Sequence, residues 1–266
     1  MKLIDNEVKI IDEKDPRKKI KLIGDSLGLN IDLKQEIKNG NKNSIFGHEA
    51  FTFECPAYGL GTGFLYSKLR HFKIEKSFSE TFLITANLNE WLDYIKVVRT
   101  PVNHFVMSRL YYELISEDID TLLRDKFCYS FTSNGNYFST LKIKCSNSLI
   151  SEFKNFKFFS ISEDTLKNTD LEFISDEKNK DFLLQSEKQY KELLEAGVKA
   201  EEAKRILPNC LANTIFISAS LNDWKKFFRD STDNSTEMQN VKTLIKKELS
   251  LTEEELLNIE VDWGHD

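Results

Sequence analysis

Cysteine is scarce: Cys55, Cys128, Cys145 and Cys210 are the only four in 266 residues, widely spaced, with no Cys-x-x-Cys pair and no paired histidines nearby. That spacing argues for reduced, mostly buried thiols in a cytosolic protein and against a zinc site or any other metal centre. Glycine is also sparse, and three of the ten fall between Pro56 and Gly63. The run Gly59-Leu-Gly-Thr-Gly63 is followed by neither a convincing helix nor a P-loop lysine in register, which excludes a dinucleotide loop. No apolar run approaches the length of a bilayer span. The opening MKLIDNEVKIIDEKD alternates apolar with charged groups, unlike a signal or transit peptide. A basic excess is missing too: 37 Lys and Arg against 43 Asp and Glu leave a net charge of −6. A general nucleic-acid binder carries the opposite balance. A small anion remains an acceptable ligand, since a cationic pocket can sit on an acidic surface. The expectation is a soluble, cytoplasmic protein.

What the chain does have is apolar mass. Hydrophobic residues make up 40% and include 20 Phe, enough for a substantial core in one large domain or two small ones. The stretch Leu193–Ser231 is the best punctuated. Leu193, Leu194 and Ala196 end a helix with Gly197 as a left-handed cap, and Glu201 and Glu202 open another that Pro208 stops. Thr214 to Ser218 reads as a strand. Ser220 or Asn222 then caps a helix whose inner face is Leu221, Trp224, Phe227 and Phe228.

Elsewhere, Lys2 to Ile11 reads as an edge strand or strand pair, and Asp15-Pro16 opens a helix running to Asn30. A short helix covers Asp32 to Lys38, and Phe46 to Cys55 alternates like a half-buried strand. Phe64 to Lys76 fits helix or strand. Phe82 to Ala86 is a strand, Asn87 to Val98 a helix, and Phe105 to Ile115 another helix. Phe127 to Thr132 and Tyr137 to Cys145 read as a hairpin around Asn134-Gly135. A helix starts near Ser148, residues 166–183 form a mobile polar loop, Glu187 to Leu194 is helical, and Thr236 to Leu257 forms one or two amphipathic helices. The segments TFLITANLNEW (Thr81 to Trp91) and TIFISASLNDW (Thr214 to Trp224) echo each other in register. Either a repeated unit or convergence of two capped strand–helix pairs accounts for the echo.

Three segments in order carry a resemblance: AKRILP (Ala203 to Pro208) with SLNDW (Ser220 to Trp224); EFKNFKFFSISEDTLK (Glu152 to Lys167); and SIFGHEAFTF (Ser44 to Phe53). Together they resemble the flavin-dependent thymidylate synthases. The resemblance implies one α+β domain over residues 1–266, a twisted, mainly antiparallel sheet flanked by helices, with a strand–helix insert at about 64–115. It further implies a homotetramer with sites shared between subunits. The implied reaction is methylene transfer from methylenetetrahydrofolate to dUMP, giving dTMP, with FAD relaying hydride from NADPH.

Residue by residue, the resemblance places Glu152, Glu163, Thr165, Lys167 and Lys204 at dUMP, the two lysines standing where the family has phosphate-gripping arginines. Ser160 matches the signature serine. Both lysines keep the charge but lose the bidentate fork. On the cofactor side it places Ser44, His48, Asn155, Phe156, Lys157, Ser220 and Asn222. Here the sequence departs from the pattern. Asn155 and Phe156 replace an Arg-His pair, Ser220 and Asn222 replace Asn and Arg, and Gly47 replaces a glutamate. Ser231 stands at the position of the arginine that ionises the pyrimidine, with Arg229 nearby. Each charge-assisted hydrogen bond lost costs about 1.5–3 kcal/mol, roughly ten- to a hundredfold in affinity. A second reading follows, a catalytically silent or repurposed homologue that binds a pyrimidine nucleotide or serves as a structural subunit. Taken on their own, His48 reads as a core or edge histidine and Lys225, Lys226 and Arg229 as a solvated face.

Overall fold

The computed structural model describes residues 1–39, 43–56, 73–76, 81–97, 131–133, 138–164, 171–175, 177–230 and 235–252. Helix α1 (Pro16–Ser26) begins as its sequence requires: the Asp15 side chain accepts the N–H groups of Arg17 and Lys18, and Pro16 occupies the first turn. Helix α2 (Leu33–Asn39) follows. Helix α5 (Lys180–Glu195) ends at Gly197, whose φ of +81° suits a residue without Cβ. There the N–H of Val198 reaches Leu193 O and that of Gly197 reaches Leu194 O, both at 3.0 Å, closing the helix end. Helix α6 (Ala200–Ala203) and a 3-10 turn (Lys204–Ile206) come next, and the chain turns extended at Leu207, just before Pro208.

Two four-stranded antiparallel sheets organise the rest. One has β2 (Glu7–Ile10), β7 (Phe138–Ser146), β10 (Ala212–Ser220) and β8 (Ser160–Glu163) in the order β2-β7-β10-β8. The other has β4 (Lys73–Lys76), β5 (Thr81–Asn87), β3 (Ala50–Pro56) and β6 (Phe131–Ser133) in the order β4-β5-β3-β6. A short parallel pair joins β1 (Lys2–Leu3) to β9 (Glu172–Phe173). The fold is thus α+β and mainly antiparallel, but with two main sheets rather than the single one expected.

These sheets share a plan. In each, an inner strand feeds directly into a helix: β5 into α3 (Leu88–Val97) and β10 into α7 (Leu221–Asp230). The outer ladders agree in register, Lys73 to Lys76 opposite Thr85 to Phe82, and Ser160 to Glu163 opposite Ser218 to Ile215. Thr85 and Ser218 hold the same place in the echoed segments, so the echo corresponds to one strand–helix arrangement present in each sheet. The fourth strand of each sheet comes from the far part of the chain, β2 lying on β7 and β6 on β3.

The main described core lies between the β2-β7-β10-β8 sheet and the helices α4 (Asn147–Phe153), α7 and α8 (Thr236–Glu248). Leu141, Ile143, Ile215, Ile217, Trp224, Phe227, Val241 and Ile245 are sealed from solvent there. A smaller core of Leu171, Phe173, Leu183, Tyr190, Ala203 and Leu211 sits under α5 and α6.

The structure corrects four sequence expectations. Strands β6 and β7 are not a hairpin, because they belong to different sheets. Asn-Gly is a local signal, whereas β7 makes a nine-residue ladder with β10 and a four-residue ladder with β2, leaving neither edge open. Phe46 does not begin a strand: Ser44–His48 is a 3-10 turn capped by Asn43, and β3 starts at Ala50. The described part of 166–183 is anchored rather than loose, since Leu171 and Phe173 are core residues and α5 already begins at Lys180. The helix expected from Glu187 therefore starts two turns earlier. The helix expected at Phe105 to Ile115 lies outside the described residues.

Candidate functional site

Where α4 ends, Lys154 caps it and the chain turns through Asn155–Phe159 into β8, an edge strand of the larger-core sheet. The 3-10 turn Ser44–His48 lies against β8. Gly47 permits this approach, because a Cβ at that position would stand 2.9 Å from Ser160 Oγ and 3.0 Å from Ser160 Cβ. An open pocket of ≈ 340 Å³ results, lined by Ser44, Lys154, Phe156, Lys157, Phe159, Ile161, Ser162 and Glu163. Its aromatic wall is braced from behind. Phe159 packs on Trp224 at 4.7 Å between ring centres, and Phe156 meets Phe227 edge-on at 5.1 Å. Its charged groups are Lys154, Lys157 and Glu163, with Lys154 and Glu163 forming an ion pair. A ring-shaped wall beside two ammonium groups, one carboxylate and hydroxyls suits a small planar anion.

Behind the pocket, His48 is fully buried. Its Nδ1 lies 2.7 Å from Ser218 Oγ and its Nε2 2.9 Å from Ser162 Oγ. Ser218 donates to Thr140 Oγ1 at 2.7 Å, and Thr140 in turn donates to the His48 carbonyl at 3.2 Å. Ser218 therefore accepts from Nδ1–H, which leaves Nε2 to accept from Ser162. Burial holds the imidazole down to a pKa of about 3, with the positive charge of Lys19 acting in the same direction. Lys19 forms a buried ion pair with Glu49 at 3.2 Å. His48 thus clamps the 3-10 turn onto β8 and β10 as a neutral group, and both its nitrogens are occupied.

Of the residues expected at a site, Ser44, Phe156, Lys157 and Glu163 line this pocket, Ser160 lies beside it, and Asn155 is exposed next to it. Glu152 is not among the lining residues; it accepts from Ser235 Oγ at 3.3 Å. Ser220 Oγ is engaged in capping α7, accepting Asp223 N–H at 3.1 Å and donating to Asp223 Oδ2 at 2.6 Å. Asn222 is half-buried in the first turn of α7, and Arg229 is exposed and paired with Asp230 at 2.7 Å. Lys204 sits in the 3-10 turn beside α5 and α6 and does not line the pocket. Thr165, Lys167 and Ser231 lie outside the described residues. Sequence reasoning missed Lys154, Phe159, Ile161 and Ser162. The available signal was the density of Phe and Lys just before Ser160, but which of them face one cavity depends on the turn.

Burial pushes the Cys145 and Cys210 thiols up, Glu237 adding to the effect, which disfavours the reactive thiolate at both. Among the described residues no cluster of three His, Cys, Asp or Glu is arranged to hold a metal, and no helix is long and apolar enough to cross a membrane.

An α+β protein with an anion-and-ring pocket beside an edge strand is the class these features define. Residues 121–252, just under half of the chain, match the family model described as thymidylate synthase complementing protein. The pocket's β8 wall and the α4–β8 turn both fall inside the matched residues. The match supports a thymidylate synthase-related role in a general sense. No curated protein matches the chain.

Proposed function

We propose that the protein binds a pyrimidine nucleotide, dUMP first among candidates, in the pocket between the 3-10 turn and β8. One observation carries this reading: Lys154, Lys157, Phe156 and Phe159 converge with Ser162 and Glu163 on a single cavity at the segment that resembles the family signature. The phosphate would meet the ammonium groups and the base the aromatic wall. An adjacent role for Lys167 and Thr165 belongs to the same reading. Lys204, packed beside α5 and α6, is not part of it.

Two of the residues that the resemblance assigns to FAD, His48 and Ser220, do not fit that group, and neither does the contact at Gly47. His48 offers no edge to a ligand, Ser220 is committed to its helix, and no side chain fits at position 47 without displacing Ser160. No flavin step follows from them. These facts favour a silent or repurposed homologue over the full reaction with FAD, NADPH and methylenetetrahydrofolate. A homotetramer is the assembly proposed from the resemblance, and light scattering tests it.

The purified chain is expected to be colourless after gel filtration and to be stabilised by dUMP. At a hundred times Kd the gain is about 2.7 kcal/mol. It is also expected to leave a thymidine auxotroph unrescued. Flavin retained through gel filtration, together with growth rescue, would overturn the silent reading. Absence of any dUMP-dependent stabilisation would remove the nucleotide.

A further inference from the structure

Asn155 and Phe156, which stand where the family signature has an Arg-His pair on the cofactor side, carry no charge. Lys154, one position earlier, lines the pocket and is ion-paired with Glu163 from the facing strand. We infer that Lys154 is the phosphate-binding cation of this site, and that Glu163 is a placeholder anion which holds Lys154 in position and gives it up to the ligand. The inference rests on the nucleotide reading above and names the residues that select for phosphate.

Physical chemistry sets the direction of exchange. The Lys154 and Glu163 side chains are 50% and 35% exposed, so water screens the pair and it contributes little to stability. A phosphate dianion offers the same ammonium more charge and more acceptor oxygens than the Glu163 carboxylate, and the bond stays charge-assisted with either partner. Position supports the choice of lysine. Lys154 is the C-cap of α4, so its backbone is held by N–H bonds to Glu152 O and Ile150 O while its side chain stays half-exposed. Lys157 reaches back toward the same turn, its Nζ 3.5 Å from Lys154 O, which brings a second ammonium to that corner. Phe156 stands between the two lysines in sequence and belongs to the aromatic wall. Before ligand arrives the pocket holds two positive charges and one negative. Neutralising Glu163 removes both the competitor for Lys154 and the repulsion felt by an incoming dianion.

The two partners of the pair therefore have opposite effects on binding. This departs from the role the resemblance gives Glu163, orienting the base, under which its loss would weaken binding. The test is calorimetric titration of dUMP, deoxyuridine and inorganic phosphate into the full chain and two variants, with circular dichroism melts to confirm folding. Lys154→Gln is expected to weaken dUMP and phosphate by about ten- to a hundredfold, the loss of one charge-assisted bond. Glu163→Gln is expected to tighten both by about three- to tenfold. Deoxyuridine, lacking the phosphate, should respond to neither variant. If Glu163→Gln weakens dUMP, or Lys154→Gln leaves it unchanged, the inference fails while the nucleotide reading stands. Wild-type protein that binds none of the three probes removes both.

Discussion

In the unit formed by β5 and α3, Asn87 Oδ1 accepts the N–H of Glu90 at 3.0 Å; in the unit formed by β10 and α7, Ser220 Oγ accepts that of Asp223 at 3.1 Å. One residue further on, Trp91 and Trp224 are each fully buried. The likeness stops at their indole nitrogens. Trp91 Nε1 donates to Phe51 O at 3.0 Å, whereas Trp224 Nε1 has no acceptor among the described residues and its ring packs in an aromatic cluster that includes Phe159 and Phe227. The inner strands diverge as well. Ser218 of β10 belongs to the hydroxyl network that grips His48. One local pattern has produced one cap and one buried tryptophan twice, while the neighbours decide which copy stands beside a pocket.

The largest effect should come from the histidine clamp on β10. Its pKa is depressed in the fold, so the unfolded chain binds a proton below about pH 6.5 that the folded chain refuses until about pH 3. Stability is then fully present above pH 6.5 and falls as pH drops through that window, by at most about 1.4 kcal/mol per unit. Denaturant midpoints measured from pH 7 to pH 4 should show this slope, and His48→Gln should flatten it while costing about 2 kcal/mol at pH 7. An unchanged slope in the variant would mean that carboxylates carry the acid sensitivity.

Next come the tryptophans. Trp91→Phe is expected to cost about 2–3 kcal/mol, because it opens space and strands the Phe51 carbonyl. Trp224→Phe should cost only about 1 kcal/mol, since it also removes a buried N–H that has no partner. Equal losses in thermal melts would erase the distinction between the two copies. The smallest contrast concerns the caps. Asn87→Ala and Ser220→Ala should each cost about 1 kcal/mol, with no difference between them beyond error. A clear inequality would show that one cap also serves its surroundings.

Much of the local structure was legible beforehand. The Asp15-Pro16 entry, the Gly197 exit, the extended run before Ser220 and the inner face of α7 all follow from signals that act within a few residues. The Asn134-Gly135 turn misled for the same reason, since it says nothing about which strand offers β7 the longer ladder. The site was legible only in part. The signature segment pointed to the turn that borders the pocket and to Phe156, Lys157 and Glu163, which line it. It could not distinguish Lys154, whose partner lies across a cavity, nor Lys204, whose charge matched a family position while its helix packed elsewhere.

Composition and spacing by themselves determined an acidic chain with scattered cysteines and two capped strand–helix units, because each depends on residue chemistry or on hydrogen bonds closed within a few residues. Only the tertiary structure decided that β2 and β6 cross to the other sheet, that His48 is a sealed clamp and that Lys154 meets Glu163. Those outcomes rest on burial and on contacts between residues far apart in the chain, where the free energy depends on what else has packed there.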